Sequence, residues 1–276
     1  MNRLGGTLTL ALGVARRQTV RTFKAPYLLA PMLVFPLLLF AAFAGGLSAI
    51  SRTPNFNYFN FTTFQLIYVL MVGAALGGVQ TGLTVADDFE SGFARRMLIS
   101  TPQRGGLVLG YVLAGLVRFA LVALVLTAVA VASGARMHGD VIQVAGLYGV
   151  AGLFNVASTL YATGFAFRAR STSVGPAIQT PIMLPLFLAP VFAPRALLSG
   201  WLRHVADVNP VTPLLESGRG LAAGAPVSVA IAYSLLFVLV VLSAAFALAG
   251  LHSAEQGGER VSRRERRRAR RAPAAT

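Results

Sequence analysis

The charged stretch that interrupts an otherwise apolar chain is ADDFESGFARRMLISTPQR, residues 86–104. Its charged core consists of three acids followed, across a glycine, by two arginines: Asp87, Asp88, Glu90, Gly92, Arg95 and Arg96. The pattern predicts a short helix that starts at the acids, because negative charge favours a helix N-terminus, and that ends at Pro102. From the residues alone, this segment is either a rigid cytoplasmic handle or a solvated loop whose arginines only fix topology.

The composition of the chain is that of a protein whose main solvent is lipid. Of 276 residues, 55% are hydrophobic and 12% are charged, and the mean hydropathy is +0.68. A soluble domain of this size needs more charge to cover its surface. The chain has no cysteine, which excludes disulfides and thiolate metal sites, and its three histidines show no metal-ligand spacing. We therefore predict no metal site.

The apolar runs predict an all-α integral membrane protein with six transmembrane helices. Residues 1–25 predict an amphipathic interfacial helix, with Leu8, Leu12 and Phe23 on its apolar face and basic residues on anionic headgroups. The membrane domain is predicted at 26–251. Its six spans are expected at 26–50, 62–86, 107–132, 141–167, 174–194 and 227–251, each long enough to cross a core of about 30 Å. Residues 252–276 predict a disordered basic tail.

The distribution of basic residues predicts the orientation of these spans in the membrane. With the N-terminus inside, 18 of the 24 arginines and lysines lie on the cytoplasmic face and 5 on the outer face. Both termini and the charged segment 87–103 are then cytoplasmic, and the connection 195–226 is on the outer side. The net charge of +15 lies at span ends and in the tail, so we predict contact with membrane lipids and no nucleic-acid partner.

A second polar motif precedes the last span. It consists of Asn209, Pro210, Thr212, Pro213, Glu216 and Arg219. Asn209-Pro210 should break a helix, Thr212-Pro213 can start another, and Glu216 and Arg219 have i, i+3 spacing for an ion pair. The motif predicts either a pair of short re-entrant helices or a surface loop.

Polar and proline residues inside the predicted spans mark a possible substrate path. They are Gln80, Arg118, Asn155, Thr159, Pro181 and Pro185. An arginine within a span is a functional-site hypothesis by default, and prolines bend helices. The ordinary alternatives are interhelical hydrogen bonding for the polar residues and snorkelling of Arg118, or its pairing with Gln80.

Catalytic and nucleotide-binding motifs are missing from the sequence. The segment 77–84, GGVQTGLT, has the small-residue spacing of a phosphate-binding loop, but Leu83 occupies the position of the lysine. Its glycines fit close helix packing better. If ATP is used, a partner supplies it.

The two motifs resemble those of type-2 ABC exporter permeases. The first reads Asp88-x-Glu90-x-Gly92-x-x-Arg95-Arg96-x-x-x-x-Thr101-Pro102-x-Arg104, and the second Asn209-Pro210-x-Thr212-Pro213-x-x-Glu216-x-x-Arg219. Together with the order of the spans, they look closest to the daunorubicin-resistance-type drug permeases. The resemblance covers essentially the whole chain except the basic tail.

This resemblance implies a permease subunit without its own ATPase, in the bacterial inner membrane. It would pair with a second permease copy or homologue and with cytoplasmic ABC ATPase subunits that bind ATP and Mg²⁺. A coupling helix within residues 87–103 would dock on each ATPase, and the cargo would be an amphipathic drug, lipid or secondary metabolite. The alternatives are an ion-gradient-driven secondary multidrug transporter, which needs carboxylates within the spans, and a membrane-embedded enzyme, which needs a cluster of acids or histidines.

Overall fold

The computed structural model describes residues 3–25, 29–47, 60–100 and 105–271, with Tyr27, Ala49, Arg52, Phe56 and Tyr58 between them. For residues 3, 4, 95, 99, 100 and 255–271 it describes the backbone only. The regular structure of these described residues is helical. The α-helices are α1 (Arg3–Lys24), α2 (Ala30–Gly46), α3 (Phe61–Glu90), α4 (Phe93–Ser100), α5 (Gly105–Ala132), α6 (Val141–Ala169), α7 (Gly175–Phe187), α8 (Gly200–Val208), α9 (Val211–Ala223) and α10 (Val229–Arg271).

Four helices in the described part of the chain are long and apolar enough to cross a membrane. They are α3, α5, α6 and the first 26 residues of α10, Val229–Ala254. The apolar α2 has 17 residues and α7 has 13. At a rise of about 1.5 Å per residue, α7 is roughly 20 Å long, shorter than a hydrocarbon core of about 30 Å.

The central helix of the bundle is α3, because 89% of its most apolar 18-residue segment is buried inside the protein. Asn60 caps its start by accepting a hydrogen bond from the Thr63 backbone N–H at 2.7 Å. Its glycines allow α6 to approach closely: a Cβ added at Gly78 would lie 2.5 Å from the Ser158 Cβ, and one at Gly82 would lie 2.6 Å from the Ala162 Cβ. The predicted packing role of this glycine stripe is confirmed, and the same burial leaves no open loop for a phosphate.

Contacts between helices define their relative directions. Along α3, Gly77 faces Asn155 and Gly82 faces Ala162, so α3 and α6 run parallel. The start of α10 meets the start of α6, where the Tyr233 hydroxyl donates to the Gly146 carbonyl, and their later parts also meet, where Arg168 donates to the Phe246 carbonyl. These two helices are therefore parallel as well. α5 is antiparallel to α3.

The structure shortens the predicted fifth span. The apolar run continues to Pro194, but α7 ends at Phe187. Pro181 and Pro185 lie inside the helix, and Pro190 and Pro194 follow it. Because each proline removes a backbone donor and clashes with the preceding turn, the helix does not persist through the whole run.

The last helix is longer than the sequence predicts. α10 continues to Arg271, through most of the segment predicted as a disordered tail. Arginine, glutamate and alanine dominate this segment, and all three favour helix. Extending an existing helix also avoids the cost of nucleating a new one.

Candidate functional site

The three acids of the charged stretch lie at the end of α3, not at the start of the following helix. α3 runs through Asp87 and Asp88 to Glu90, and α4 begins at Phe93. The predicted start of the short helix at the acids is thus wrong. Gly92 has φ +72°, the left-handed conformation that terminates helices and that glycine adopts without strain.

Asp88 is fully buried and bound by side chains of two other helices. It accepts hydrogen bonds from both terminal nitrogens of Arg17 at 3.1 Å, from Gln18 Nε2 at 2.7 Å and from the Tyr111 hydroxyl at 2.9 Å. Arg21 adds an ion pair at 3.3 Å. Carboxylates are unfavourable at a helix C-terminus, so these partners on α1 and α5 compensate the unfavourable dipole as well as the burial.

The two neighbouring acids extend this set of contacts. Asp87 forms an ion pair with Arg21, and the hydrogen bond that Asp87 accepts raises the pKa of the Arg21 guanidinium. Glu90 accepts hydrogen bonds from the Thr172 backbone N–H at 2.8 Å and from the Ser171 hydroxyl at 2.9 Å, in the connection between α6 and α7. We call this set of contacts around the end of α3 the α3 joint.

The joint changes the interpretation of α1. Two of its arginines, expected on lipid headgroups, bind carboxylates of α3. Arg17 also contacts α4, because its Cζ lies 3.5 Å from the centroid of the Phe93 ring. The face of α1 with Ala11, Val14 and Gln18 is buried, whereas Leu8, Leu12 and Phe23 are more than half exposed. Sequence reasoning missed Arg17, Gln18 and Arg21 as site residues; their i, i+1, i+4 spacing placed them on one face, but no pattern named their partner.

The short helix α4 follows the joint directly. Its Ala94 and Leu98 are buried, and Arg96 is exposed. The side chain of Arg95, and Pro102 itself, lie outside the described residues. Of the two arginines predicted to contact a partner, Arg96 is shown to be available on the surface.

On the opposite side of the bundle, the second motif forms a helix start without free donors. The Val211 N–H donates to Asn209 Oδ1 at 2.9 Å, the Thr212 N–H donates to the Asn209 carbonyl, and Pro213 has no N–H. Asn209 Nδ2 donates to the Pro185 carbonyl at 2.7 Å. Because the first N–H groups of a helix normally need water or a capping group, α9 can begin in apolar surroundings.

The expected ion pair between Glu216 and Arg219 is wrong. Glu216 pairs instead with Arg195 at 3.2 Å, and Arg195 also reaches Asp207 at 3.4 Å. Arg219 is buried, donates to the Pro190 carbonyl at 2.8 Å and lies 3.4 Å from the centroid of the Phe64 ring. The turns that follow α7 leave the Pro190 carbonyl without a helical hydrogen-bond donor. The buried guanidinium of Arg219 supplies that donor.

Three of the predicted substrate-path residues meet between α3, α5 and α6. Arg118 is buried and donates to Thr81 Oγ1 at 2.7 Å rather than pairing with Gln80, which is half-buried. A Cβ added at Gly115 would lie 3.0 Å from Thr159 Oγ1 and 3.5 Å from Asn155 Oδ1. The Asn155 amide donates to the Ala74 carbonyl at 2.8 Å. Arg118 and Asn155 therefore make interhelical hydrogen bonds, which is what the ordinary alternative expects of them.

Pro181 and Pro185 lie elsewhere, on the wall of a cavity of about 210 Å³. Its lining comes from α6, α7, the start of α9 and α10. The structure therefore divides the predicted path into a polar cluster and a separate apolar cavity on a neighbouring face of α6.

Comparison with known proteins gives one family. A family model described as "ABC-2 type transporter" matches residues 10–223, from α1 to the end of α9, and includes both the α3 joint and the second motif. A search of curated proteins gives no match.

Proposed function

The chain belongs to the ABC-2 type transporter family, whose model matches more than half of its residues, and on this basis we propose that it is the permease subunit of an ATP-driven exporter. Separate cytoplasmic ATPase subunits would bind ATP and Mg²⁺, and a second permease subunit, identical or homologous, would complete the assembly. The cargo would be an amphipathic drug, lipid or secondary metabolite, moved out across a bacterial inner membrane.

The observation that carries this proposal is the α3 joint. Its three carboxylates connect the end of α3 to α1, to α5 and to the α6–α7 connection. Arg17 connects the joint to α4. A force applied to α4 would pass through this cation–π contact to Arg17. From there it would reach α3, α1, α5 and the α6–α7 connection through charge-assisted hydrogen bonds, which resist separation better than neutral ones. The acids would transmit motion, while Arg96 on α4 would contact the ATPase.

Helix directions support six membrane crossings with both termini in the cytoplasm. α6 and α10 are parallel, so the chain must return to the far side of the membrane between them. Within that connection, the apolar α7 supplies the crossing, completed by the non-helical residues 188–194. α2 supplies the first crossing. We further propose that α8 and α9 are re-entrant at the outer side, which the donor-free start of α9 supports.

The contacts of Asp88 disfavour the ion-gradient alternative. Its carboxylate is the buried acid in the part of the chain that the structure describes, and it is held by two arginines, glutamine and tyrosine. A carrier of protons or sodium must release its ion during each cycle, whereas these partners hold the carboxylate as a structural anion.

Co-purification with an ATPase tests the proposed function. We would express the permease with the ATPase encoded beside it and compare wild type with Arg96→Glu, because a reversed charge on α4 should repel the partner's docking surface. Arg203→Glu, an exposed arginine on α8, is the matched control. We expect Arg96→Glu to lose most of the co-purified ATPase and its activity, and Arg203→Glu to retain both. Failure of any ATPase to co-purify with wild type, combined with transport that follows a proton gradient, would support the secondary-transporter alternative instead.

A further inference from the structure

The cavity beside α7, which we call the α7–α10 cleft, has an apolar and uncharged wall. It is lined by Phe154 and Ala157 on α6, Pro181 on α7, Leu239 on α10 and Pro210 at the start of α9. The polar groups of its lining side chains are hydroxyls, those of Ser158, Tyr161 and Ser243. A charged ligand group would lose its hydration here without gaining a counter-ion, so the cleft fits hydrocarbon.

Its volume limits what can enter. At about 210 Å³ the cleft exceeds an apolar cavity of about 150 Å³ that stays dry and binds benzene. It is smaller than the roughly 300–1,000 Å³ of pockets that enclose a whole drug-sized molecule. The cleft is therefore suited to one apolar arm of a larger molecule.

The cleft lies at the depth of acyl chains and opens beside them. Leu239 is ten residues into α10, and Pro185 is ten residues into α7 from the other side, which places both about 15 Å from their helix starts and near mid-membrane. Pro181 and Pro210 are exposed at its edge. Phe237 on α10 is 70% exposed, so in the membrane that helix faces lipid.

We propose that the α7–α10 cleft binds a hydrocarbon chain that enters sideways from the bilayer, and that this chain is the apolar arm of the exported cargo. The second half of the proposal rests on the export function proposed above. Asn209 links the cleft to the outer motif, because it holds both the Pro185 carbonyl and the Val211 N–H, and both residues line the cleft. Displacement of α9 would widen the cleft on its outer side.

Tryptophan quenching tests whether a chain occupies the cleft. The protein has one tryptophan, Trp201, so a Trp201→Phe background is free of other signals. In it we would compare Phe154→Trp in the cleft with lipid-facing Phe237→Trp and with Tyr68→Trp, which is buried on α3. Each variant is reconstituted in vesicles of phosphatidylcholine brominated on its acyl chains.

We expect Phe154→Trp to be quenched nearly as strongly as Phe237→Trp, and the quenching to be lost when Ala157→Leu fills the cleft. Quenching of Phe154→Trp no greater than that of Tyr68→Trp, or quenching unchanged by Ala157→Leu, would overturn the proposal. Neither outcome depends on an ATPase.

A second measurement tests whether the chain in the cleft belongs to cargo. The permease purified with its ATPase is reconstituted in phosphatidylcholine vesicles, and ATP hydrolysis is compared among wild type, Ala157→Leu and Ala245→Leu, which adds the same atoms on an exposed position of α10. We expect a loss of most lipid-stimulated activity in Ala157→Leu alone. Equal activity in the two variants would overturn the cargo assignment. An inactive wild-type complex would refute the export function, and the quenching result would still decide occupancy.

Discussion

At the C-terminus of α3, Asp88 lies where the helix dipole disfavours a carboxylate, and four side chains from α1 and α5 hold it there. The sequence placed the acids at the start of a helix, where the same charges are favourable by about 0.3–1 kcal/mol each. The preference of carboxylates for a helix N-terminus is outweighed here by contacts with Arg17 and Arg21, about 70 residues earlier in the chain. A burial of this kind fixes α1 against the end of α3 more firmly than lipid contact alone.

Replacing the buried acid Asp88 should cost more stability than replacing its partly exposed neighbour Asp87. Asp88→Asn leaves Arg17 and Arg21 without their shared carboxylate, and since both arginines are about one-third exposed, we expect a loss of about 2–3 kcal/mol, below the maximum for a buried pair. Asp87→Asn removes a pair that is half-exposed and should cost about 1 kcal/mol or less. Thermal unfolding of both variants in detergent measures the difference. Equal shifts in Tm would show that burial of Asp88 contributes nothing.

Among the helices, those with long, uninterrupted apolar runs were predicted well. α3, α5 and α6 lie within a few residues of the expected spans, because a run of that length in lipid has no alternative to helix. The end of α7 was not predictable in the same way. The hydropathy stays high through Pro194, but the prolines of this run have no backbone N–H to donate to the helix. Motif residues were identified, but the actual partner of Glu216 is Arg195, which depends on how the turns after α7 fold.

Close packing of α3 on α6 should make the glycine stripe intolerant of even one methyl group. At Gly78 an added Cβ would lie 2.6 Å from the Ser158 backbone carbon, which cannot move aside like a side-chain tip. We expect Gly78→Ala to destabilise the protein by about 1–3 kcal/mol through overpacking.

The matched control is Gly13→Ala on α1, where nothing lies within 4 Å of the added Cβ. It should be neutral or should stabilise by up to about 1 kcal/mol, because alanine favours helix over glycine. Unfolding temperatures of the two variants in the same detergent measure the contrast. A Gly78→Ala protein as stable as the Gly13→Ala protein would mean that α3 and α6 are less closely packed than described.

For the whole molecule, parallel packing of α6 and α10 constrains the path of the chain more strongly than hydropathy does. Two parallel helices in one chain need a return between them, and the connection from Arg170 to Ser228 contains α7 as its apolar helix. Positive charge predicts the same arrangement independently, with Arg168 and Arg170 inside and Arg195 and Arg203 outside. Contacts and charge therefore both support the proposed crossing at α7, which at 13 residues is too short to establish it by length alone.

Cysteine labelling tests that crossing directly, because the natural chain has no cysteine to remove. Ser173→Cys precedes α7 and Ser199→Cys follows the turn after it, and both serines are exposed. A membrane-impermeant maleimide added to intact cells, with the outer membrane opened where one is present, should label Ser199→Cys at once and Ser173→Cys only after the inner membrane is permeabilised. Labelling of both positions from the same side would remove the fifth crossing. The parallel contacts of α6 and α10 would then require a different path for the chain, and the predicted outer position of the Asn209 motif would fall with it.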